Sequence, residues 1–221
     1  MEGRVRIGDR VAELGNRVDP GRDRISVDGI PVAADPELRY FALNKPAGVT
    51  TTLRDPHAAR TIAELLPDSG PRLVPVGRLD RESEGLLLLT NDGDLAHRLQ
   101  HPRFGVEKEY LVEVDGDVPQ RVARLLVHGV DLDDGLARAL RARIVERKPG
   151  RTAVALVMGE GRKREIRKML RAVGFRVRRL VRTRIGPVRL GRLPPGKLRP
   201  LGAEEVRDLY RVTGLGRARV G

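Results

Sequence analysis

The stretch from residue 73 to residue 91, LVPVGRLDRESEGLLLLTN, constrains the fold more than any other part of the chain. Two apolar runs rich in Val and Leu flank a charged insert that begins and ends with glycine. Apolar runs of about four to six residues bounded by glycine are typical of buried strands. The insert is therefore predicted to be a loop held in place by two rigid elements, where functional residues commonly lie. Asp80 is at the centre of this loop.

The charge of the chain is strongly positive and unevenly distributed. The net charge is +13, and residues 141–221 hold 24 Lys/Arg against 6 Asp/Glu, whereas residues 1–140 hold 19 against 24. Arg outnumbers Lys 37 to 6, and guanidinium groups suit phosphate oxygens and base edges. A codon bias toward Arg would explain the identity of these cations but not their location. The concentration of positive charge in one third of the chain predicts a face that binds nucleic acid.

Two classes of protein are disfavoured by composition. The sequence contains no cysteine, which excludes disulfides and thiolate metal sites. The histidine pair His97 and His101 has helical spacing but straddles the predicted end of a helix, so we predict no metal site. No apolar run approaches the length of a membrane span, and the start lacks a signal peptide's apolar segment. A cytoplasmic protein without membrane attachment is therefore expected.

The hydrophobic pattern indicates short strands interleaved with a few helices. Residues 3–32 alternate apolar and polar positions between turn signals, which is typical of short strands. Without regular alternation of strand and helix, the pattern favours an α+β fold over a doubly wound one. Further strands are predicted at Tyr40–Leu43, Glu107–Val114, within 139–158 and around 176–193, and helices at 61–66, 92–101, 119–129, 162–174 and 203–211.

The helix predicted within residues 162–174 has an apolar face and a basic face. Ile166, Met169, Leu170 and Val173 recur at the spacing of one helical face. The opposite face is a row of cations, which we predict to bind RNA through its phosphates. The predicted RNA-binding residues of this segment are Arg162, Lys163, Arg164, Lys168 and Arg171.

The first segment, residues 1–34, is too short to bury a core alone. It resembles the strand half of the alpha-L RNA-binding module, a small domain shared by several ribosomal and RNA-modifying proteins. In that module two helices precede a stretch like EGRVRIGDR, whereas this sequence opens at the stretch itself. The resemblance implies a truncated module, for which we expect a truncated reading frame to be the cause.

Four motifs in a fixed order carry a second resemblance. LNKPAGV, GRLDRESEGLLLLTNDG, EKEYLV and EGRKREIRKML look like the ribosomal RNA pseudouridine synthases of the RsuA type, a likeness that covers roughly residues 3–202. The resemblance implies a pseudouridine synthase domain over residues 39–214, with a mixed, mainly antiparallel sheet, flanking helices and a central cleft. A short basic tail would follow at residues 215–221.

The same resemblance implies the activity, which is conversion of a specific uridine in ribosomal RNA to pseudouridine. It implies an enzyme with no cofactor, and a monomer is the default expectation. The segments NRVDPGRDRISVDG and TTLRDPHAARTIAELLP look more like the RluB-type members, which act on large-subunit ribosomal RNA. The alternative is a non-catalytic RNA-binding or ribosome-assembly protein on the same scaffold.

The resemblance also implies roles for four residues. Asp80 would be the catalytic carboxylate that acts on the ribosyl group, as nucleophile or as base. Arg167 matches the cation that pairs with this aspartate in the family. Tyr110 matches the tyrosine that stacks on the uracil, and Arg78 a residue that enters the RNA stack in place of the extruded nucleotide.

Each of these assignments has an ordinary structural alternative. Asp80 could cap a turn, Arg167 could be one more solvated or phosphate-binding residue, and Tyr110 could pack in the core. Glu82 and Glu84 are interpreted as solvated loop carboxylates rather than as a catalytic pair. Structural roles are also expected for Lys45, Pro46 and Leu180.

Overall fold

The computed structural model describes residues 4–13, 15–18, 23, 25–27, 30–32, 38–67 and 69–215. The chain forms two compact units, Met1–Leu38 and Arg39–Gly221. The predicted basic tail, apart from residue 215, lies outside the described residues.

The first unit contains the short strands that the sequence predicts. These are β1 (Val5–Ile7), β2 (Arg10–Val11), β3 (Ile25–Val27) and β4 (Ile30–Val32), in an antiparallel sheet of order β2-β1-β3-β4. Gly8 has φ +57° in the turn between β1 and β2, a conformation that favours glycine. The identity of this unit as a truncated alpha-L module stays a prediction.

The second unit contains eleven further strands and four α-helices among the described residues. In chain order they are β5 (Tyr40–Lys45), β6 (Val74–Pro75), β7 (Glu84–Thr90), α1 (Gly93–Gln100), β8 (Lys108–Asp115), α2 (Gln120–His128), β9 (Val130–Leu132), β10 (Gly135–Ala137), β11 (Arg141–Lys148), β12 (Arg151–Met158), α3 (Glu165–Ala172), β13 (Val177–Ile185), β14 (Val188–Arg189), β15 (Leu198–Pro200) and α4 (Ala203–Val212). Short 3-10 helices occur at Ile62–Leu65 and Pro102–Phe104.

One large mixed sheet organises this unit. Its strand order is β11-β12-β8-β13-β7-β5-β15, with β14 beside β13 and β6 beside β7. The pairing of β13 with β7 is parallel, and the other pairings between these described strands are antiparallel. This confirms the predicted mixed, mainly antiparallel sheet. The hairpin of β9 and β10 stands apart from it and was not predicted.

The central strand β7 explains why the run LLLL is continuously apolar. Leu87 and Leu89 belong to the core on one face of the sheet, and Leu86 and Leu88 to the core on the other. Helices α2 and α3 contribute to the first core, and α1 and α4 to the second. A strand covered on both faces needs apolar residues at every position rather than at alternate ones.

The first apolar run, LVPV, is a strand over only two residues, Val74–Pro75. A proline has no backbone N–H to donate and interrupts a ladder of strand hydrogen bonds. The predicted helix at 61–66 is a 3-10 helix at Ile62–Leu65. The aspartate predicted to cap α1 does so, since the side chain of Asp92 accepts from the Leu95 N–H at 3.0 Å.

Candidate active site

The loop between β6 and β7 holds Asp80 through its two neighbours in the chain. The hydroxyl of Thr51 donates to the carbonyl of Leu79 at 2.7 Å and accepts from its N–H at 3.2 Å. On the other side, the Gly48 N–H donates to the carbonyl of Arg81 at 2.8 Å. Because the residues on both sides of Asp80 are tied to the segment after β5, its half-buried carboxylate has a fixed position.

Lys45, at the end of β5, lies beneath this loop and is fully buried. Its Nζ donates to the carbonyls of Pro46 at 2.9 Å, Val49 at 2.7 Å and Arg81 at 3.5 Å. Burial lowers the pKa of Lys45 to about 8, although the nearby carboxylates of Glu84 and Asp80 favour its charged form. These contacts agree with the structural role predicted for this lysine, which holds the loop rather than lining the cavity.

A cavity of about 600 Å³ opens next to the loop. Its floor is one face of the sheet, where Lys108 and Tyr110 of β8 lie beside Leu180 and Arg182 of β13. Leu180 also belongs to the core beneath the site, as predicted. The cavity is lined from five parts of the chain, Gly77–Ser83, Gln100–Pro102, Lys108–Tyr110, Met158–Ile166 and Leu180–Arg182.

Of the four residues to which the resemblance gives a role, the structure brings three into this cavity, Asp80, Tyr110 and Arg78. Tyr110 is only 8% exposed and belongs to the core as well as to the cavity lining, so it packs in the core, and its stacking role stays a prediction. Arg78 is exposed at the cavity edge. A smaller cavity, of about 270 Å³, is lined by residues of β8, β11, β12 and β13, Leu111 and Val181 among them. Since Asp80 is absent from that lining, we assign the chemistry to the larger cavity.

Arg167 lies behind the loop, and the cavity lining does not include it. Its Nη2 donates to the carbonyl of Glu82 at 3.5 Å, while its Nε is buried without a partner among the described residues. Burial lowers the pKa of Arg167, and the carboxylates of Glu82 and Asp80 act against this shift. The two predicted partners, Arg167 and Asp80, therefore interact through space, and no hydrogen bond joins these two described residues. Half-buried as it is, Arg167 is not a freely solvated cation.

The predicted RNA-binding residues divide into two groups. Lys163 and Arg164 line the cavity together with Arg78. Lys163 is exposed, and the side chain of Arg164 pairs with Glu82 at 2.7 Å. These three cations form one wall of the cavity. Their role in binding stays a prediction.

The other predicted cations face different neighbours. Arg162 lines the cavity but donates from Nη2 to the carbonyl of Leu136 at 2.7 Å and from Nε to Glu165 at 3.2 Å. It thereby fixes the β9–β10 hairpin to the start of α3. Lys168 pairs with Asp134 at 2.7 Å, and Arg171 is exposed outside the cavity lining.

Three buried polar atoms lack a partner among the described residues, and all three surround the loop of Asp80. They are Ser83 Oγ, Arg167 Nε and Arg182 Nη2. Buried polar groups are nearly always hydrogen-bonded, so unpaired ones call for an explanation such as a missing ligand. Because Ser83 and Arg182 line the cavity and are not among the predicted site residues, they mark it as a functional site independently of the sequence prediction.

The sequence interpretation missed Ser83, Lys108 and Arg182. Side chains two residues apart on a strand lie on the same face of the sheet. The position of Tyr110 therefore predicts that Lys108 faces the cavity, and the position of Leu180 predicts the same for Arg182. The signal that could have found both is therefore the alternation of residues along β8 and β13. Burial, with the Arg182 cation nearby, lowers the pKa of Lys108 to about 8. Ser83 carries no comparable signal.

No described group of three or more His, Asp or Glu residues could hold a metal ion. Within the described residues there is also no helix with the length and apolar character needed to span a membrane.

The chain matches the family model of RNA pseudouridylate synthases over residues 39–172. It belongs to this family. An uncharacterized RNA pseudouridine synthase of Mycobacterium leprae is 47% identical over 97% of this chain and 86% of that protein. The ribosomal large subunit pseudouridine synthase B of Bacillus subtilis is 36% identical over 94% of this chain and 86% of that protein.

Solved structures agree with this assignment. A crystal structure of a pseudouridylate synthase has a TM-score of 0.70 and 29% identity to this chain, covering 94% of it and 89% of the other. An H/ACA ribonucleoprotein bound to a substrate RNA contains a chain with a TM-score of 0.54 and 21% identity, covering 84% of this chain and 57% of the other, which shows a shared fold alone. The predicted fold and the predicted isomerase class are confirmed, and the non-catalytic alternative is not favoured.

Proposed function

We propose that this pseudouridine synthase acts on a uridine of large-subunit ribosomal RNA, with Asp80 as its catalytic residue. The observation that carries the assignment of Asp80 is its position. It is a half-buried carboxylate whose two neighbours in the chain are both anchored, and it lies in a cavity that also contains an aromatic ring and a wall of cations. A fixed carboxylate next to a stacking surface suits a reaction at the sugar of an extruded nucleotide.

The reaction exchanges one bond to the sugar for another. The bond between C1′ of the ribose and N1 of uracil breaks, the base turns, and C5 bonds to C1′. The proton on C5 leaves, and N1 gains a proton, so that the product is an isomer of the substrate. Asp80 acts at the sugar, as nucleophile or as base, and either role requires its ionised form.

Tyr110 supplies the surface on which the extruded base stacks. Stacking on an aromatic ring contributes about 1–3 kcal/mol per base whatever the sequence. Its hydroxyl has no hydrogen-bond partner among the described residues, although the residue lines the cavity. Arg78, exposed at the edge, is placed to occupy the gap that extrusion leaves in the RNA stack.

The choice of the large subunit is supported by relatives. Proteins of Bacillus subtilis and Vibrio cholerae that are 36% and 40% identical to this chain are named ribosomal large subunit pseudouridine synthase B. We also propose that the enzyme acts in the cytoplasm, as a monomer and without a cofactor. The positive charge of the chain favours binding to a polyanion such as this RNA.

The experiment is release of tritium from ribosomal RNA labelled at C5 of uridine. Unmodified large-subunit and small-subunit RNA are incubated separately with the wild type, with Asp80→Asn and with Glu82→Gln. We expect release from large-subunit RNA alone, its loss in Asp80→Asn, and its retention in Glu82→Gln. Equal release by the wild type and Asp80→Asn would refute the role of Asp80, and release from small-subunit RNA alone would refute the proposed substrate.

A further inference from the structure

Arg182 is a buried arginine that uses only one of its three nitrogen atoms. The residue is 2% exposed, and its Nε donates to the carbonyl of Leu86 at 2.7 Å. Neither Nη atom has a partner among the described residues, and Nη2 is buried in that state. An arginine that is buried to this extent is almost always paired with a carboxylate or fully hydrogen-bonded. If Arg182 had only a structural role, its Nη groups would be hydrogen-bonded within the protein. The free Nη groups therefore point to a ligand.

The position of Arg182 indicates which ligand. It pairs directly with Tyr110 across β13 and β8, so the two side chains lie on the same face of the sheet, and both line the cavity. A base stacked on the Tyr110 ring therefore brings its edge toward the guanidinium. Arg182 would contact the base from the floor of the cavity, because it lies on β13 in the centre of the sheet.

The positive charge of Arg182 is not neutralised by a carboxylate. Among the described residues it forms no ion pair, and it lowers the pKa values of both Lys45 and Lys108, as a nearby cation does. Arg182 and Lys108 thus place two cations at the floor of the cavity, and Lys45 lies buried nearby beneath the loop. This arrangement suits negative charge on the ligand better than it suits a neutral ring alone.

We propose that the free Nη groups of Arg182 donate to a carbonyl oxygen of the target uracil and stabilise the negative charge that develops on it during catalysis. This inference rests on the proposed function. As the C1′–N1 bond breaks, its electron pair stays on the uracil ring and is shared with O2 and O4. Arg182 keeps its proton and donates a hydrogen bond to one of these oxygens while the base turns. When C5 has bonded to C1′, the C5 proton leaves and N1 takes a proton, so the ring is again neutral.

The test compares two leaving groups under single-turnover conditions, with enzyme in excess over an RNA that the wild type modifies. The target position is either uridine or 5-fluorouridine, whose base holds negative charge more readily. Consumption of each nucleoside is followed by digestion and mass spectrometry. We expect Arg182→Met to slow the reaction of uridine by about 100- to 1,000-fold, the loss typical of one donor to a developing anion. The factor by which Arg182→Met slows the reaction of 5-fluorouridine should be at least about 10-fold smaller than for uridine. The Kd of this variant for the RNA should change by less than about 2-fold.

Arg184→Met is the matched control. Arg184 lies two residues further along β13, and Glu109 and Glu107 pair with it at 3.1 and 3.0 Å. Arg184→Met changes the net charge by the same amount as Arg182→Met but removes no residue from the cavity lining. The rates with uridine and with 5-fluorouridine should therefore both stay within about 2-fold of the wild type. Should Arg182→Met fail to fold, Arg182→Lys, which keeps a buried cation, provides the same comparison with a smaller loss.

The outcomes separate the two proposals. An equal loss with both nucleosides, a loss confined to the Kd, or a similar loss in Arg184→Met would overturn the role of Arg182. A wild type that fails to modify uridine in any ribosomal RNA would instead overturn the proposed function.

Discussion

Gly85 and Arg182 lie opposite each other in the parallel pairing of β7 with β13, where a Cβ on Gly85 would come within 2.3 Å of the carbonyl oxygen of Arg182. Gly85 also has φ +100°, which side-chain-bearing residues rarely adopt. The close approach sets β7 directly beside the strand that carries Arg182, just after the loop of Asp80. The glycine is therefore required both by the close approach of β13 and by its own backbone conformation.

Gly85→Ala should destabilise the protein. The strained backbone and the clash with Arg182 are each typically worth about 1–3 kcal/mol, so the free energy of unfolding should fall by about 2–6 kcal/mol. Gly93→Ala is the control, because a Cβ on Gly93 would meet nothing within 4 Å beyond its own turn of helix. It should stay within about 0.5 kcal/mol of the wild type. Denaturant unfolding measures both, and equal midpoints for the two variants would contradict this expectation.

Lys45→Met should remove a pH dependence of stability. In the folded protein the pKa of Lys45 is about 8, below its ordinary value of 10.5. Between these values the unfolded chain binds more protons than the folded one, so the stability of the wild type rises with pH. Below about pH 8 the lysine is protonated in both states and contributes no slope.

The measurement is the difference in unfolding free energy between the wild type and Lys45→Met. The unfolding free energy of the wild type minus that of Lys45→Met should increase by about 2 kcal/mol between pH 7.5 and 9.5. It should not change between pH 6 and 7. Lys108 and Tyr40, whose pKa values burial lowers and raises respectively, titrate in both proteins and cancel in the difference. A difference that falls with pH would show that Lys45 is not held as the structure indicates.

Arg167→Met should lower turnover more than substrate binding. Arg167 holds the loop through the carbonyl of Glu82 and is a through-space cation for Asp80. We expect kcat to fall by about 10- to 100-fold, or about 1.4–2.7 kcal/mol, with little change in KM. Lys168→Met, which removes a cation paired with Asp134 on the same helix, should keep kcat within about 2-fold. If the two variants lose the same kcat, general charge rather than position is responsible.

Tyr110→Phe separates the ring of this residue from its hydroxyl. The hydroxyl has no hydrogen-bond partner among the described residues, so the stability of the variant should lie within about 0.5 kcal/mol of the wild type. The ring face is kept, so the Kd for RNA should also be unchanged. We expect the rate to fall by about 100-fold, as for loss of a group that helps a proton to move at C5. An unchanged rate would restrict Tyr110 to stacking.

Lys163→Gln and Arg78→Gln should each reduce the salt dependence of RNA binding. Each exposed cation that contacts a phosphate of single-stranded RNA contributes about 0.7 to the slope of log Kd against log salt. Lys168→Gln should change the slope less, since that lysine is already paired with Asp134. Filter binding at several salt concentrations gives the slopes, and equal slopes for all three variants would place the RNA elsewhere.

The sequence could predict the strands and helices around the site because its signals are local. The run LLLL after a glycine indicates a buried strand, and the aspartate before α1 indicates a cap. Lys45 could be predicted as structural, but its partners could not, since they are backbone carbonyls brought near by the turn of the chain. The division of the cations on and just before α3 also could not be predicted, because Arg162 and Lys168 are engaged by a hairpin that has no strong pattern of its own.

The cavity is lined from five separate parts of the chain, the last of which is Leu180–Arg182 on β13. That strand also fills the place between β8 and β7, so the two halves of the sheet join only when it docks. Contacts between residues so far apart in sequence form slowly, and they require the whole intervening chain to be present. During synthesis, the residues before β13 can fold locally without a working site. An enzyme proposed to modify the ribosome's own RNA thus gains its activity only when the ribosome has made nearly all of the catalytic unit.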